Sequence, residues 1–392
     1  MADQPPYLAY CESVIRLDRR ATEAVVEGYL ARPRDVAALY TEVFAPALIH
    51  AGREWERNRI SVVHEHYLSA VTIDLIHRYG PTTWAAPPAD APVAVACCAP
   101  GERHSIGLMM VVDLLRAAGL VVHDLGADPP AEAVRGFVAE AGADLLCVSV
   151  ALDRRLSAAA ALIAAVRRAR PETVIAVGGA ALGGRGEPIR RRLGADFAAE
   201  DAGAVRQLVP AWVTGRGRRS TPMPPQGPSA PEPAPCESYG GERPVRPDAL
   251  ESPLLRVHGD DVARYCFDHC YATWPGLDER YRARGRHYTA EDNYWHLEHL
   301  DAAVASGEEG AFADYADWLV GLLSARGMER AHVAGAFGFL AEALERVGCP
   351  PAEEGHRQEL IRLLRANQDR ISGAPPAAEG RGVDRSAGPD GA

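Results

Sequence analysis

Val93-Ala94-Val95-Ala96-Cys97-Cys98-Ala99-Pro100-Gly101-Glu102-Arg103-His104-Ser105-Ile106-Gly107 is the stretch whose reading decides the fold. Its first six residues are apolar without alternation, which marks a strand buried on both faces, as in parallel sheets. A short polar loop follows, and Ser105 opens an apolar-periodic segment over 105–118 that reads as a helix. Strand, tight loop and helix form the first half of a βαβ unit. The loop places the imidazole of His104 at the carboxyl end of the strand, where open α/β sheets bind their ligands. Glu102 stands two residues earlier. Its carboxylate is within reach of the second ring nitrogen, and a ligating histidine needs such a partner to set its tautomer.

The same pattern repeats downstream. Strands at 93–98, 120–124, 145–150, 174–177 and 196–199 alternate with helices at 105–118, 130–142, 156–170, 187–194 and 202–214, so residues 92–215 read as a doubly wound, flavodoxin-like domain. Gly107 is followed by forty-one residues and then Ser149-Val150-Ala151; twenty-six more lead to Gly178-Gly179. Each of these partners ends an apolar run. Asp124, at the end of the second strand, reads as a turn-forming residue rather than a ligand contact. The plain alternative is a flavodoxin-like sheet carrying a surface histidine.

Glu102-x-His104-x-x-Gly107, Ser149 and Gly178-Gly179 together resemble the signature of the cobalamin-binding Rossmann-like domain. The resemblance implies that His104 displaces the benzimidazole of the cofactor and becomes the lower axial ligand of cobalt. It places Glu102, Arg103, Ser105, Ile106 and Gly107 around that ligand, and Ser149, Ala151, Gly178 and Gly179 along a slot for the displaced nucleotide tail. Two positions depart from the pattern. Glu102 replaces an aspartate, as in light-responsive members, and Ala151 stands where leucine or threonine is usual, which weakens the tail slot.

Residues 7–80 read as a four-helix bundle, with apolar periods over 7–19, 21–31, 33–53 and 61–79 and breaks at Ala31-Arg32-Pro33 and Arg57-Asn58-Arg59. Trp55 is followed by nine residues and then Glu65-His66. On an unbroken helix eleven residues advance about 1100°, leaving His66 about 20° from Trp55 and roughly 16 Å along the axis; a break near Asn58 changes that geometry and still lets the two converge. This Trp-x9-Glu-His element resembles the light-sensing cobalamin proteins, the adenosylcobalamin-dependent repressors and related antirepressors. It implies that the bundle caps the upper corrin face, with Trp55 in the space of the adenosyl group and Glu65 and His66 in contact with it. Where some light-dependent repressors have a histidine directly after the tryptophan, this chain has Glu56, leaving His66 or His64 as substitutes. An ordinary core tryptophan beside a surface Glu-His pair is the plain reading.

Residues 216–251 are rich in proline, with Gly, Ser and Arg between, and read as a semi-extended linker. Residues 252–370 read as a separate helical domain with helices over 254–271, 290–305, 312–326, 331–347 and 351–367 and an arginine-rich loop over 276–289. Aromatic and histidine side chains crowd its first half beside those arginines. That composition suits a flat, carboxylate-bearing tetrapyrrole. Cys266, His269, Cys270, Arg286, Tyr288, Trp295 and His299 are the candidate contacts, chosen by residue type, for biliverdin or, in its place, haem. The order of segments resembles a stand-alone photocobilin. A dimerisation or partner-docking domain is the alternative. The Gly/Pro/Ala-rich segment 371–392 reads as a disordered tail.

Composition narrows the function classes. Net charge is −11 and no lysine occurs. A Walker A loop, a lysine Schiff base and a kinase-type lysine are therefore excluded, and nonspecific nucleic-acid binding is disfavoured. The eight cysteines lack C-x-x-C spacing, which fits a reducing cytoplasm. No run is long and apolar enough to span a membrane, and no secretory leader or DNA-binding segment is recognised before Tyr7. The expectation is a cytoplasmic photoreceptor that holds adenosylcobalamin and signals through homo-oligomer assembly or an unidentified protein partner. A corrinoid methyl carrier and a cobalamin-binding regulator indifferent to light are its rivals.

Overall fold

The computed structural model describes residues 5–31, 35–199, 203–204, 250, 252–307 and 309–373. The first unit is helical: α1 (Pro6–Ile15), α2 (Arg19–Leu30), α3 (Val36–Leu39), α4 (Ala45–Glu56) and α5 (Val62–Tyr79). Asp18 starts α2 by accepting the Ala21 amide at 3.0 Å. Tyr40–Phe44, between α3 and α4, is a π-helical turn, so 36–56 forms one continuous run and one arm of a four-helix bundle. Pro46 accounts for the widening, because it has no N–H and its ring crowds the carbonyl four residues back. Tyr10, Tyr40, Phe44, Leu68, Leu75 and Ile76 fill the core.

α4 and α5 are separate helices. Asn58 lies at φ 56, a left-handed conformation that asparagine tolerates. The unbroken-helix register of Trp55 and His66 therefore does not hold; the two residues sit on opposite arms of the α4–α5 hairpin.

The second unit is a five-stranded parallel sheet of β1 (Val93–Cys98), β2 (Val121–Asp124), β3 (Leu145–Ser149), β4 (Val174–Gly178) and β5 (Phe197–Ala199), in the order β2-β1-β3-β4-β5. Ala96 pairs with Asp124, and Cys98 and Gly178 flank Ser149. The order reverses between β1 and β3, which makes the loops after those two strands the ligand-binding edge. Asp124 accepts the Gly126 amide at 2.9 Å, the turn role its position suggested.

α6 (Ile106–Ala117) joins the two units with opposite faces. Met110 is buried in the bundle core, while Leu108, Val112 and Leu115 pack with Ala94, Ala96 and Cys98 of the sheet. Between these faces the buried Asp113 accepts Tyr40 Oη at 2.7 Å and Trp84 Nε1 at 2.9 Å. α7 (Ala131–Glu140), α8 (Leu156–Ala169) and α9 (Gly186–Leu193) cover the other face of the sheet through Val134, Val138, Leu162, Val166 and Ile189. Apart from Gly203 and Ala204, the helix expected at 202–214 lies outside the described residues, as do the linker, except Leu250, and most of the tail.

The described residues of the third unit form five helices: α10 (Pro253–Thr273), α11 (Gly276–Ser306), α12 (Glu309–Ser324), α13 (Arg330–Arg346) and α14 (Glu354–Gly373). The loop expected at 276–289 is instead the first half of α11. Leu, Glu, Arg and Ala dominate it and all favour helix, and Asp278 and Glu279 complement the dipole of its first turn. Phe312, Phe337, Leu300, Leu340, Leu344 and Leu364 form its core.

Candidate functional site

His104 and Glu102 meet at the switch point between β1 and β3. The Glu102 side chain is fully buried and that of His104 is 65% exposed. Glu102 Oε1 accepts His104 Nδ1 at 2.6 Å and the His104 amide at 3.0 Å; its Oε2 accepts the amides of Ala151 and Leu152, both at 3.0 Å. Burial alone raises a carboxyl pKa, but these bonds, led by His104, outweigh it and hold Glu102 down to about 2. An ionised Glu102 is acceptor-only, so His104 Nδ1 carries the proton, and in the neutral imidazole the lone pair then lies on Nε2. A metal ligand needs that tautomer.

The rest of the loop supports this pair. Gly101, at φ 77, donates its amide to Asp128 Oδ1 at 2.7 Å. Asp128 also lies 4.0 Å from the exposed Arg103. Ser105 sits at the N-cap of α6 without a side-chain cap bond, and Ile106 packs on the bundle core. A Cβ added at Gly107 would meet nothing within 4 Å, so the first turn of α6 is open at that position. Asp128 was not anticipated; Asp128-Pro129 was its available turn signal. Leu152, Arg154 and Arg155 were not anticipated either.

Ser149, Ala151, Gly178 and Gly179 come together at the carboxyl edges of β3 and β4. The glycines serve the sheet itself. A Cβ on Gly178 would stand 2.8 Å from the Ala199 carbonyl oxygen, and one on Gly179, at φ 109, would stand 2.2 Å from that of Val150. Their smallness is taken up by close backbone packing between neighbouring segments.

Trp55, half-buried at the end of α4, and Glu65 and His66, one turn into α5, flank the α4–α5 hairpin. Glu65 accepts Ser69 Oγ at 3.0 Å and lies 3.7 Å from His66 Nε2; the His66 side chain is 72% exposed. His64 Nδ1 and Ser61 Oγ are 2.7 Å apart. Glu56 is engaged by the C-terminal unit, accepting Trp318 Nε1 at 2.8 Å.

The residues singled out for a tetrapyrrole mostly engage other side chains of the chain. Cys266 and Cys270 lie in the closed core, with sulfurs 3.9 Å apart and the Cys266 thiol raised well above its ordinary pKa by Cys270 and burial. Buried thiols of this kind are unreactive. His269 stacks on Tyr265 at 3.7 Å. Arg286 pairs with Asp278 and lies 4.4 Å over the Tyr271 ring. Tyr288 is exposed, Trp295 lies 5.2 Å under the Arg154 guanidinium, and His299 stacks on Tyr315 at 3.8 Å. The cleft beside His299, Arg154 and Ala303 encloses about 10 Å³, space for about one water.

Residues 92–209 match the model of the B12 binding domain, and residues 9–78 match a second B12 binding domain model. The two matches fall on the parallel sheet and on the helical bundle respectively. The HTH-type transcriptional repressor CarH of Myxococcus xanthus is 31% identical over 147 residues, covering 36% of this chain and 47% of the relative. CarA of the same organism is 29% identical over 166 residues, covering 42% and 54% respectively. The chain thus spans about half the length of the curated relatives it matches. Among solved structures, the Methanosarcina barkeri monomethylamine corrinoid protein is 20% identical with a TM-score of 0.47, over 53% of this chain and 98% of that one. A cobalamin-binding protein from Desulfitobacterium hafniense DCB-2 is 20% identical with a TM-score of 0.30, over 52% and 97%. At these identities and scores the likeness assigns no function. The exposed Nε2 of His104, fixed by a buried carboxylate, fits the donor that a base-off corrinoid requires.

Proposed function

We propose that this chain is a light-responsive sensor that binds adenosylcobalamin with His104 Nε2 as the lower cobalt ligand. The observation that carries the reading is the Glu102–His104 pair, locked across the β1/β3 switch point by the Ala151 and Leu152 amides. Bound adenosylcobalamin supplies a light-labile Co–C bond. The chain's own residues orient and enclose it. Glu102 keeps the imidazole in its ligating tautomer, and Gly107 leaves the adjoining helix turn open. Trp55, Glu65 and His66 would shape the space above the corrin. α6 connects the two sides, because it follows His104 directly and packs its other face into the bundle. A change in what Trp55, Glu65 and His66 hold would alter the bundle contacts and be read out as a change in assembly or partner binding.

The similarity to CarH and CarA, named as transcriptional repressors, supports a regulatory rather than enzymatic role. A second tetrapyrrole, biliverdin or haem, would require the side-chain pairs of the C-terminal unit to separate. Dark reconstitution with adenosylcobalamin, followed by green light, tests the reading. Cobalamin absorption bands that change with light support it; bands that ignore light favour a methyl carrier. A further band beyond about 600 nm after co-expression with biliverdin would establish the second chromophore.

A further inference from the structure

We infer that the C-terminal helical unit is a clamp across both walls of this site, with Arg326 as the residue that positions Trp55; the inference rests on the cobalamin reading above. On the bundle wall, Arg326 Nη2 donates to the Trp55 carbonyl at 3.1 Å and Nη1 to the Glu56 carbonyl at 3.2 Å. Its guanidinium lies 5.0 Å over the Trp55 ring. Trp318 holds the Glu56 side chain, and Asn58 Nδ2 donates to the Ala325 carbonyl at 3.3 Å. On the sheet wall, Glu298, with 1% of its side chain exposed, accepts Arg154 Nη1 at 2.8 Å and faces Arg155 at 3.8 Å. Those arginines follow Ala151 and Leu152, whose amides hold Glu102. The Arg155 guanidinium fills the space beside Gly101, 2.7 Å from where a Cβ would stand. One domain therefore grips both the residue assigned to the upper corrin face and the loop that fixes the lower ligand.

The grip on Trp55 comes from one side. The guanidinium covers one ring face, and the half-buried indole keeps surface for a ligand. A planar fork that bonds two successive carbonyls while stacking on a ring is specific to arginine; lysine keeps the charge and loses the stack. A helix end braced in this way needs less ordering when cofactor binds, so the clamp tightens binding. By linkage, the occupancy of the site changes the hold of the clamp in equal measure.

Arg326→Ala tests this, with Arg326→Lys as partial rescue. Arg365→Ala is the control, since Arg365 bonds Glu345 and Gln368 within the same unit. In the chain without cofactor, Arg326→Ala should speed amide exchange over residues 57–60 severalfold. In the dark it should raise the Kd for adenosylcobalamin about tenfold. Arg326→Lys should recover part of both effects and Arg365→Ala should leave both at wild-type values. Unchanged exchange at 57–60, or an unchanged or lower Kd, overturns the clamp. If the wild-type chain takes up no adenosylcobalamin, the site reading itself fails, and the exchange result reduces Arg326 to a structural contact.

Discussion

Glu102→Gln keeps the shape of the side chain and turns one acceptor oxygen into a donating amide nitrogen. Each oxygen of Glu102 accepts two N–H groups, from His104 on one side and from Ala151 and Leu152 on the other. Whichever way the new amide turns, two donors that Glu102 satisfied face another donor. Hydrogen bonds to a charged group contribute about 1.5–3 kcal/mol each, and a buried donor left without a partner costs about 1–3 kcal/mol. A loss of about 3 kcal/mol is therefore expected. Proton linkage gives the same size: a carboxyl held from 4.5 down to about 2 contributes about 3 kcal/mol at neutral pH. Because the folded pKa is the lower one, this stability is fully present above pH 4.5 and drains away as pH falls toward 2. Urea unfolding followed by circular dichroism at pH 7, 5, 4 and 3 reads both effects. Glu102→Gln should be weaker at pH 7 and lose less than wild type between pH 5 and 3. It should also bind adenosylcobalamin about 10–100-fold more weakly, as changes behind a metal ligand do. Equal midpoints at pH 7 and parallel acid profiles would refute the reasoning.

Two glycines separate packing from ligand space. Gly179→Ala drives a Cβ to 2.2 Å from a carbonyl oxygen at positive φ and should cost more than about 3 kcal/mol by thermal melting, or prevent folding. Gly107→Ala meets nothing of the chain itself; its melt should stay within about 1 kcal/mol of wild type, while its adenosylcobalamin titration weakens. Tyr40→Phe removes one of the bonds to Asp113 between bundle and α6. It should lower stability by about 1–2 kcal/mol, read as a shift of the urea midpoint at constant slope.

The sheet was legible because each strand is a short apolar run closed by a turn residue. β1 to β5 fall within a residue or so of the expected limits. The His104 loop was legible for the same reason: a strand end, an acid and an imidazole are neighbours in the chain. What links Glu102 to Ala151 and Leu152 is a contact between two loops 49 and 50 positions apart, and spacing alone does not reveal which amides face inward. The unbroken-helix register of Trp55 and His66 does not apply because Asn58 reverses the backbone between them, at the break that the Arg57-Asn58-Arg59 cluster marked. The first half of α11 was misread because charge, glycine and scattered aromatics obscured a run of good helix formers. The contacts of Arg326 with Trp55 and Glu56 span 271 and 270 positions and leave no local signal.

The central claim is that His104 Nε2 is the lower ligand of a light-sensitive cobalamin. The most direct measurement is a dark absorption titration of wild type and His104→Ala with adenosylcobalamin, each then exposed to green light. The account predicts tight uptake and a light-dependent spectrum for wild type. For His104→Ala it predicts binding weakened about tenfold or more and a free-cofactor spectrum. Equal uptake by both proteins, or wild-type bands unmoved by light, would contradict it.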